Sequence, residues 1–198
     1  MTETSSLKMT RRLTETAIML ALAIGLSYVK IMELPMGGSI TLFSQVPIII
    51  IGYRYGAKWG ISTGIIYGVL EMLLQGLGNF AYVKGIVAYL VLILADYVLA
   101  FMALGLGGGM FKKMKNQTVA LALGAFAGSA LRFVCHFVSG VTIWGDYADG
   151  WKSVWQYSAA YNGSYMAVEA AISVAAVVAL SLVLDFNAAN LMKKKKTK

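Results

Sequence analysis

Long apolar runs separated by short polar turns make up most of this chain. Most of the six runs are close to the ~20 residues with which a helix crosses a bilayer, and the second is short. The runs cover residues 13–32, 42–54, 58–76, 85–107, 118–143 and 160–186. Because backbone groups in hydrocarbon must pair within their own segment, runs of this length predict helices rather than strands. The pattern predicts an all-α membrane protein built as a bundle of six transmembrane helices.

Basic residues are spread unevenly between the two ends of this predicted bundle. Six spans place both termini on the same side, and thirteen of the seventeen Lys and Arg residues fall there. They are Lys8, Arg11, Arg12, Arg54, Lys58, Lys112, Lys113, Lys115, Lys193, Lys194, Lys195, Lys196 and Lys198. An excess of Lys and Arg marks the cytoplasmic side, so both termini are predicted to be cytoplasmic. The net charge of +8 then reflects topology rather than nucleic-acid binding, and the basic tail at 193–198 also suits anionic lipid.

The composition agrees with a membrane protein and narrows the classes of function. Hydrophobic residues make up 59% of the chain, charged residues 13%, and the mean hydropathy is +0.70, which is too apolar for a soluble domain. The length suits a single domain over 1–198, placed in the cell membrane as a multi-pass protein. One cysteine, Cys135, cannot form an internal disulfide, and one histidine cannot hold zinc alone. The sequence has no P-loop, zinc-protease or serine-hydrolase motif, so we expect no catalytic residues, metal site or cofactor.

Two of the predicted helices carry small residues at a four-residue period. These rows are Ala17, Ala21 and Gly25 in the first helix and Gly56, Gly60, Gly64 and Gly68 in the third. A row of small side chains lets another helix backbone approach closely. Each row can serve packing inside this bundle or docking of another membrane protein, and the pattern alone leaves both interpretations open.

Few ionisable residues lie inside the predicted spans. They are Glu71, Asp96, Arg132, His136 and Glu169. Because a charge at mid-bilayer costs at least ~2.5 kcal/mol on insertion scales, each is a candidate functional residue. Arg132 and His136 are four residues apart and share a helix face. In the structural alternative, Arg132 pairs with Asp96 to hold the bundle together and His136 is a satisfied core residue. No partner for Glu71 is evident from the sequence.

Aromatic residues crowd the loop 143–159 at the predicted outer end of the last two helices. Three Trp and two Tyr within it are typical of an interfacial belt, but close to His136 they can also line a cavity. In such a cavity Asp96 would supply negative charge, the ring of Trp144 would attract a cation, and Asn162 could both donate and accept hydrogen bonds. Together they indicate a pocket for a planar, cationic, hydrogen-bonding ligand.

Five stretches of the chain carry a resemblance to a known family. They are LTETAIMLALA (13–23), MGGSITLFSQVPI (36–48), LADYVLAF (94–101), RFVCHFVSGVTIWGDYA (132–148) and YSAAYNGSY (157–165), of which the last two are the most specific. On these residues the chain resembles the substrate-binding S-components of energy-coupling factor (ECF) vitamin transporters, and among them the thiamine-binding members. The resemblance implies a six-helix fold with an outward-facing vitamin pocket that is closed by the loop between the first two helices.

The resemblance also implies which residues bind the vitamin. The residues that match the family's pocket are Asp96, Tyr97, His136, Trp144, Tyr157 and Asn162, with Tyr82 as a further match. The implied roles are charge compensation by Asp96, ring stacking by Trp144, and hydrogen bonding by His136 and the last helix. The chain departs from the family pattern at two places: Asp96 stands where glutamate is also used, and MGGS at 36–39 replaces a tryptophan that some members carry.

Partner proteins are implied by the same resemblance. The family docks on a membrane scaffold subunit, EcfT, through an Ala-x-x-x-Ala face that Ala17 and Ala21 match, and two cytosolic ATPase subunits hydrolyse ATP. The chain is then expected to be a thiamine-capture subunit and not an enzyme. One alternative keeps this class but binds a thiamine precursor or another heterocycle. A second alternative is a small membrane enzyme or proton-coupled carrier that uses Glu71, Asp96 and His136.

Overall fold

Six helices dominate the part of the chain that the structure, a computed structural model, describes: residues 5–189 and the backbone of 192–193. They are α1 (Ser5–Ser27), α2 (Val46–Tyr55), α3 (Ala57–Ala81), α4 (Ile86–Met110), α5 (Gln117–Thr142) and α6 (Val154–Val183). By length and hydropathy α3, α4, α5 and α6 can each cross a membrane, and α2 is a shorter apolar helix. The predicted helical bundle is confirmed. The basic tail falls outside the described residues, apart from the backbone of Lys193 in the short antiparallel pair β3 (Leu184–Asp185) and β4 (Met192–Lys193).

Two helices end or begin at residues other than those that the apolar runs predict. The last helix begins at Val154, before the predicted start at 160, because the Ser153 side chain accepts a hydrogen bond from the backbone N–H of Gln156 and caps the helix. The first helix ends at Ser27, before the predicted end at 32. The polar residues that follow Ser153 therefore belong to a helix face rather than to a loop.

A β-hairpin that the apolar pattern does not predict connects α1 to α2. Its strands β1 (Lys30–Glu33) and β2 (Ser39–Thr41) are antiparallel, with Glu33 opposite Ser39. The turn between them passes through a positive φ of 90° at Gly37, a conformation that glycine adopts without steric cost. The hairpin thus reverses the chain sharply and places its tip over one end of the helical bundle.

The glycine row of α3 packs against α4. A Cβ atom added at Gly60, Gly64 or Gly68 would collide with backbone atoms of α4, at Gly105, Phe101 and Tyr97 respectively. The two backbones therefore approach closely enough for dispersion contact along the whole stripe. Of the two interpretations left open for this row, packing inside the bundle is the one observed. Gly56 stands apart, since its φ of 92° belongs to the turn between α2 and α3.

The small-residue row of α1 faces away from the bundle. Ala17, Ala21 and Gly25 are all exposed, and no other side chain or helix comes within 4 Å of a Cβ added at Gly25. The opposite side of α1 is attached to the bundle, where Glu15 accepts from Arg54 Nε at 2.8 Å and Thr16 Oγ1 accepts from Trp59 Nε1 at 2.9 Å. The exposed row is thus a flat strip on the outside of the described structure.

Candidate functional site

A cavity of about 460 Å³ opens at the end of the bundle that carries the hairpin. Its walls come from the hairpin, from α3 to α6, and from the segments that join them at this end. It is lined by all seven residues predicted to bind a ligand: Tyr82, Asp96, Tyr97, His136, Trp144, Tyr157 and Asn162. The structure therefore brings together a set of residues that are widely separated in the sequence.

Asp96 stands at the centre of a hydrogen-bond cluster in the cavity wall. Its Oδ2 accepts from Ser139 Oγ at 2.7 Å and from Trp144 Nε1 at 3.2 Å, while its Oδ1 lies 3.1 Å from His136 Nδ1. The residue is 9% exposed and belongs to a π-helical stretch of α4, Leu92–Leu99. π-Helical turns frequently occur at functional sites, where they redirect a side chain. Both carboxylate oxygens are thus used to fix an imidazole and an indole.

His136 is held through one ring nitrogen only. With Nδ1 facing Asp96, its Nε2 is buried and has no hydrogen-bond partner among the described residues, although His136 lines the cavity. A neutral imidazole that donates through Nδ1 presents Nε2 as an acceptor. The satisfied core residue that sequence reasoning left open is therefore not what the structure shows.

Next to this cluster, Trp144 and Tyr82 line the cavity, and Tyr147 packs against both of their rings. The Trp144 ring lies 6.4 Å from that of Tyr82 and 6.0 Å from that of Tyr147, measured between centroids. Trp144 is 8% exposed, and its indole N–H is fixed by Asp96, so the ring has a defined orientation. Tyr82 is 51% exposed and marks the rim. An indole face held in this way can stack on a planar or cationic ring.

Tyr97, the neighbour of Asp96, joins α4 to the end of α3. Its hydroxyl accepts from Asn79 Nδ2 at 2.9 Å and donates to the carbonyl of Gly76 at 3.4 Å. The ring is 8% exposed and lines the cavity. The hydroxyl is thus occupied by α3, which leaves the ring as the part of Tyr97 that faces the cavity.

The α6 wall is held in place by the amide of Asn162. Its Nδ2 donates to the carbonyls of His136 at 3.2 Å and Ser158 at 3.1 Å, and its Oδ1 accepts from Tyr165 Oη at 3.1 Å. Tyr157 lies one turn away, 6% exposed, with its hydroxyl 3.5 Å from Met36 Sδ. Asn162 therefore ties α6 to α5 at the cavity, in addition to lining it.

The hairpin covers the cavity and is attached to α6. Tyr161 Oη donates to the carbonyl of Pro35 and accepts from the backbone N–H of Gly38 at 3.1 Å. Deeper in the bundle, Glu169 Oε1 accepts from the backbone N–H of Thr41 at 2.5 Å and from its hydroxyl at 2.7 Å. The covering loop between the first two helices is thus fastened by α6 at both its tip and its base.

The structure corrects the predicted partner of Arg132. Its Nη1 lies 3.3 Å from Glu169 Oε2, and its guanidinium sits 4.9 Å from the centre of the Phe101 ring, whereas Asp96 is bonded to other groups. Arg132 lies one turn deeper on α5 than His136 and so meets α6 rather than the carboxylate of α4. Pairing with Asp96 was therefore the wrong interpretation, and Glu169 takes that role, together with a hydrogen bond from Gln45.

The sequence named Glu71 of α3 as a candidate functional residue but did not place α3 in the wall of the cavity. Tyr67, Glu71 and Gln75 line it at one-turn spacing, and Glu71 Oε2 accepts from Gln75 Nε2 at 3.2 Å. Glu71, for which the sequence named no partner, thus has a polar neighbour on its own helix. The i, i+4 spacing of these polar residues in an apolar run was the available signal. Among the described residues, no group of three His, Cys, Asp or Glu is placed to hold a metal ion.

Three comparisons with known proteins place these residues in a family. The model of a family described as "Thiamine transporter protein (Thia_YuaJ)" matches residues 13–187. "Thiamine transporter ThiT" of Bacillus subtilis (strain 168) is 34% identical over 166 residues, covering 78% of this chain and 82% of that protein. The protein of the same name from Lacticaseibacillus paracasei (strain ATCC 334) is 30% identical over 165 residues, covering 75% and 76%. A solved structure of ThiT from Listeria monocytogenes has a TM-score of 0.70 and 26% identity, covering 88% of this chain and 94% of that one.

Proposed function

Because the chain belongs to the thiamine transporter family, we propose that it binds thiamine in the cavity under the hairpin and acts as the capture subunit for its uptake. Membership in this family makes the chain a transport protein and not an enzyme, and with its apolar helices it is a multi-pass membrane protein. Family membership does not by itself locate the binding site, and we assign it to the cavity under the hairpin. The observation that carries it is the Asp96 cluster, which fixes an imidazole and an indole side by side in the wall of a covered cavity.

The chemistry of thiamine suits this wall. Thiamine joins a flat aminopyrimidine, whose ring nitrogens and amino group form hydrogen bonds, to a permanently cationic thiazolium ring with a hydroxyethyl arm. Trp144 offers a fixed aromatic face for stacking, and His136 Nε2 offers an unused acceptor for the amino group. Tyr157 and Tyr97 add ring surface to the same cavity. Both halves of the ligand therefore find complementary groups in one cavity.

Asp96 has a dual role in this proposal. Its hydrogen bonds position His136 and Trp144, and its negative charge favours a cationic ligand in a region of low dielectric constant. Asn162 acts mainly by joining α6 to α5 beside the cavity, while Tyr82 closes the rim next to Trp144. In this proposal Asp96 therefore compensates the charge of the ligand, as the sequence indicated, and also positions its two neighbours.

For transport we propose that the chain works as an ECF S-component, with EcfT and two ATPases as partners. Two features support this partnership. The sequence contains no phosphate-binding loop with which to use ATP itself, and the Ala17–Ala21–Gly25 strip of α1 is exposed and flat, as a docking surface for a membrane scaffold requires. The cavity end would face outward, opposite the basic cytoplasmic segments.

Reconstitution into liposomes tests this function against a stand-alone carrier. An S-component alone should bind thiamine but not accumulate it, and uptake should require the scaffold, the ATPases and ATP. A proton-coupled carrier should accumulate thiamine alone when a proton gradient is imposed. Comparing thiamine with its separate pyrimidine and thiazole halves in the binding assay tests the alternative of a precursor ligand, which predicts that one half binds more tightly than the whole.

A further inference from the structure

Basic side chains gather at the end of the bundle opposite the cavity, and Arg54 at the end of α2 is the most deeply buried of them. Its guanidinium donates to both oxygens of Glu15 on α1, at 2.8 and 3.0 Å, and to three backbone carbonyls of the segment 186–189. Tyr55 Oη also donates to Glu15, at 2.6 Å. Both the Arg54 guanidinium and the Glu15 carboxylate are therefore fully engaged inside the protein.

Arg12 and Lys112 lie beside this ion pair without a carboxylate of their own. The guanidinium of Arg12 lies over two rings, 5.1 Å from the centre of Tyr55 and 4.9 Å from the centre of Trp59. The guanidinium of Arg54 lies 5.6 Å from the centre of the same Tyr55 ring. Lys112 Nζ donates to the backbone carbonyl of Arg54. Among the described residues, no carboxylate lies within ion-pair distance of Arg12 or Lys112.

The charges of this cluster are out of balance. Three cations lie close to the single carboxylate of Glu15, which Arg54 already neutralises. Burial lowers the pKa of the Lys112 ammonium, and the positive charges of Arg12 and Arg54 lower it further. Because like charges at short range repel each other, an anion that joins the cluster would stabilise it. The described part of the chain leaves Arg12 and Lys112 without such an anion.

The surroundings of the cluster match the boundary between hydrocarbon and lipid headgroups. Leu13, next to Arg12, is 54% exposed, and Met110, two residues before Lys112, is 50% exposed. The two rings beneath Arg12 are a tyrosine and a tryptophan, the residue types that concentrate at membrane interfaces. A soluble anion would contact the cations alone, whereas the acyl chains of a phospholipid would also cover the exposed apolar side chains. These surroundings therefore favour a lipid over a free phosphate.

We propose that Arg12 and Lys112 form a binding site for the phosphate of an anionic phospholipid, in the leaflet that borders this end of the bundle. The planar guanidinium of Arg12 suits two oxygens of a phosphate, and the ammonium of Lys112 adds a second charge. The bound lipid would join the start of α1 to the end of α4. The site is separate from the cavity under the hairpin and does not depend on which ligand that cavity binds.

The test measures lipid binding to the purified full chain in a neutral detergent by native mass spectrometry at 0.15 M ionic strength. Phosphatidylglycerol is the anionic lipid and zwitterionic phosphatidylcholine is the reference. We expect phosphatidylglycerol to bind more tightly, and Arg12→Gln and Lys112→Gln each to lower its affinity by at least about tenfold. Arg12→Lys keeps the charge and should retain most of the affinity. The matched control is Lys115→Gln, at an exposed lysine of the same end, which should lower the affinity by no more than about twofold.

Equal losses in Arg12→Gln, Lys112→Gln and Lys115→Gln would overturn the proposal, because they would indicate diffuse attraction rather than a site. Equal affinity of the unaltered chain for the two lipids would overturn it as well. Should Arg12→Gln not fold, Lys112→Gln carries the same test, since Lys112 is exposed and lies beyond the end of α4.

Two further arms separate the lipid from other occupants of the cluster. Glycerol 3-phosphate at the same concentration should not displace phosphatidylglycerol, and displacement would show that the cluster binds a soluble phosphate instead. Unchanged lipid binding in Arg12→Gln and Lys112→Gln, together with lost assembly with partner subunits, would identify the cluster as a protein interface. Either result would contradict the proposed lipid site.

Discussion

His136 Nδ1 lies 3.1 Å from Asp96 Oδ1, and this pair is braced by Ser139 and Trp144, which both donate to the other oxygen of Asp96. The four residues come from α4, from α5 and from the segment just after α5. One carboxylate thereby fixes the orientation of both an imidazole and an indole. The wall is built before a ligand arrives, which reduces the entropy lost on binding.

Replacing Asp96 by Asn should disrupt this wall without changing its size. One acceptor oxygen becomes a donor, so the bonds to His136 or to Ser139 and Trp144 cannot all persist. We expect thiamine affinity to fall by at least about tenfold, measured by calorimetry. Asp149→Asn, at an exposed carboxylate of the loop before α6, is the control and should bind like the parent chain.

Two substitutions at Trp144 separate stacking from hydrogen bonding. Trp144→Phe keeps an aromatic face but loses the N–H that bonds to Asp96, whereas Trp144→Ala loses both. We expect a graded loss of thiamine affinity, of about tenfold for Phe and more for Ala. Competition with a labelled ligand provides the measurement, since Trp144 itself is removed. Unchanged affinity in Trp144→Ala would show that the ring does not stack on the ligand.

Glu169 should be important for stability because it holds the base of the hairpin and balances Arg132. It accepts from Thr41, Gln45 and Arg132, all of them buried. Glu169→Gln would leave the guanidinium of Arg132 buried without a counter-charge, so we expect the free energy of unfolding to fall by about 3 kcal/mol. Thermal unfolding in detergent measures this, with Glu33→Gln as the control for an exposed pair that contributes little.

Close packing of α3 on α4 gives a prediction with a built-in control. A Cβ at Gly64 would meet the carbonyl of Phe101, whereas a Cβ at Gly25 of α1 would meet only open space. Gly64→Ala should therefore lower the free energy of unfolding by about 1–3 kcal/mol through overpacking. Gly25→Ala should be neutral or stabilising, because Ala is the better helix former. Equal thermal stability of the two variants would contradict the observed packing.

A bulky residue on the exposed strip of α1 should impair transport but not binding. Ala17→Trp adds a large ring to the surface that we propose docks on the scaffold, far from the cavity lining. We expect unchanged thiamine affinity in the purified chain and a loss of ATP-dependent uptake in the reconstituted complex. Val138→Trp, at an exposed position of α5, controls for a ring placed elsewhere on the bundle surface and should transport normally.

How far the sequence predicted the structure depended on the length of each apolar run. Long runs predicted α3, α4 and α5 closely, because a continuous apolar segment of this length in a membrane satisfies its backbone hydrogen bonds within itself as a helix. The hairpin was missed, since Lys30–Glu33 shows no alternation of polar and apolar residues and all four are exposed. The hairpin is held by Tyr161 and Glu169 of α6. These residues are far from the hairpin in the sequence, so the pattern of residues within the hairpin gives no sign of them.

Side-chain partners were harder to predict than positions in the cavity. The residues that the resemblance grouped, such as His136 and Trp144, line one cavity in the structure, but the sequence could not tell whether Arg132 turns toward α4 or α6. That choice depends on which carboxylate packs against α5 at the depth of Arg132, one turn below His136, and tertiary packing decides it. The same holds for Glu71, whose polar neighbour Gln75 becomes apparent only when the residues of α3 are seen around the cavity.

Calorimetric titration of thiamine into the purified full chain, without partner subunits or ATP, tests whether the cavity under the hairpin binds thiamine. We expect saturable binding of one thiamine per chain, tighter than the binding of either the pyrimidine or the thiazole half. We also expect Asp96→Asn to weaken this binding and Asp149→Asn to leave it unchanged. No heat of binding with thiamine, together with tight binding of a different vitamin, would show that thiamine is not the ligand of this cavity.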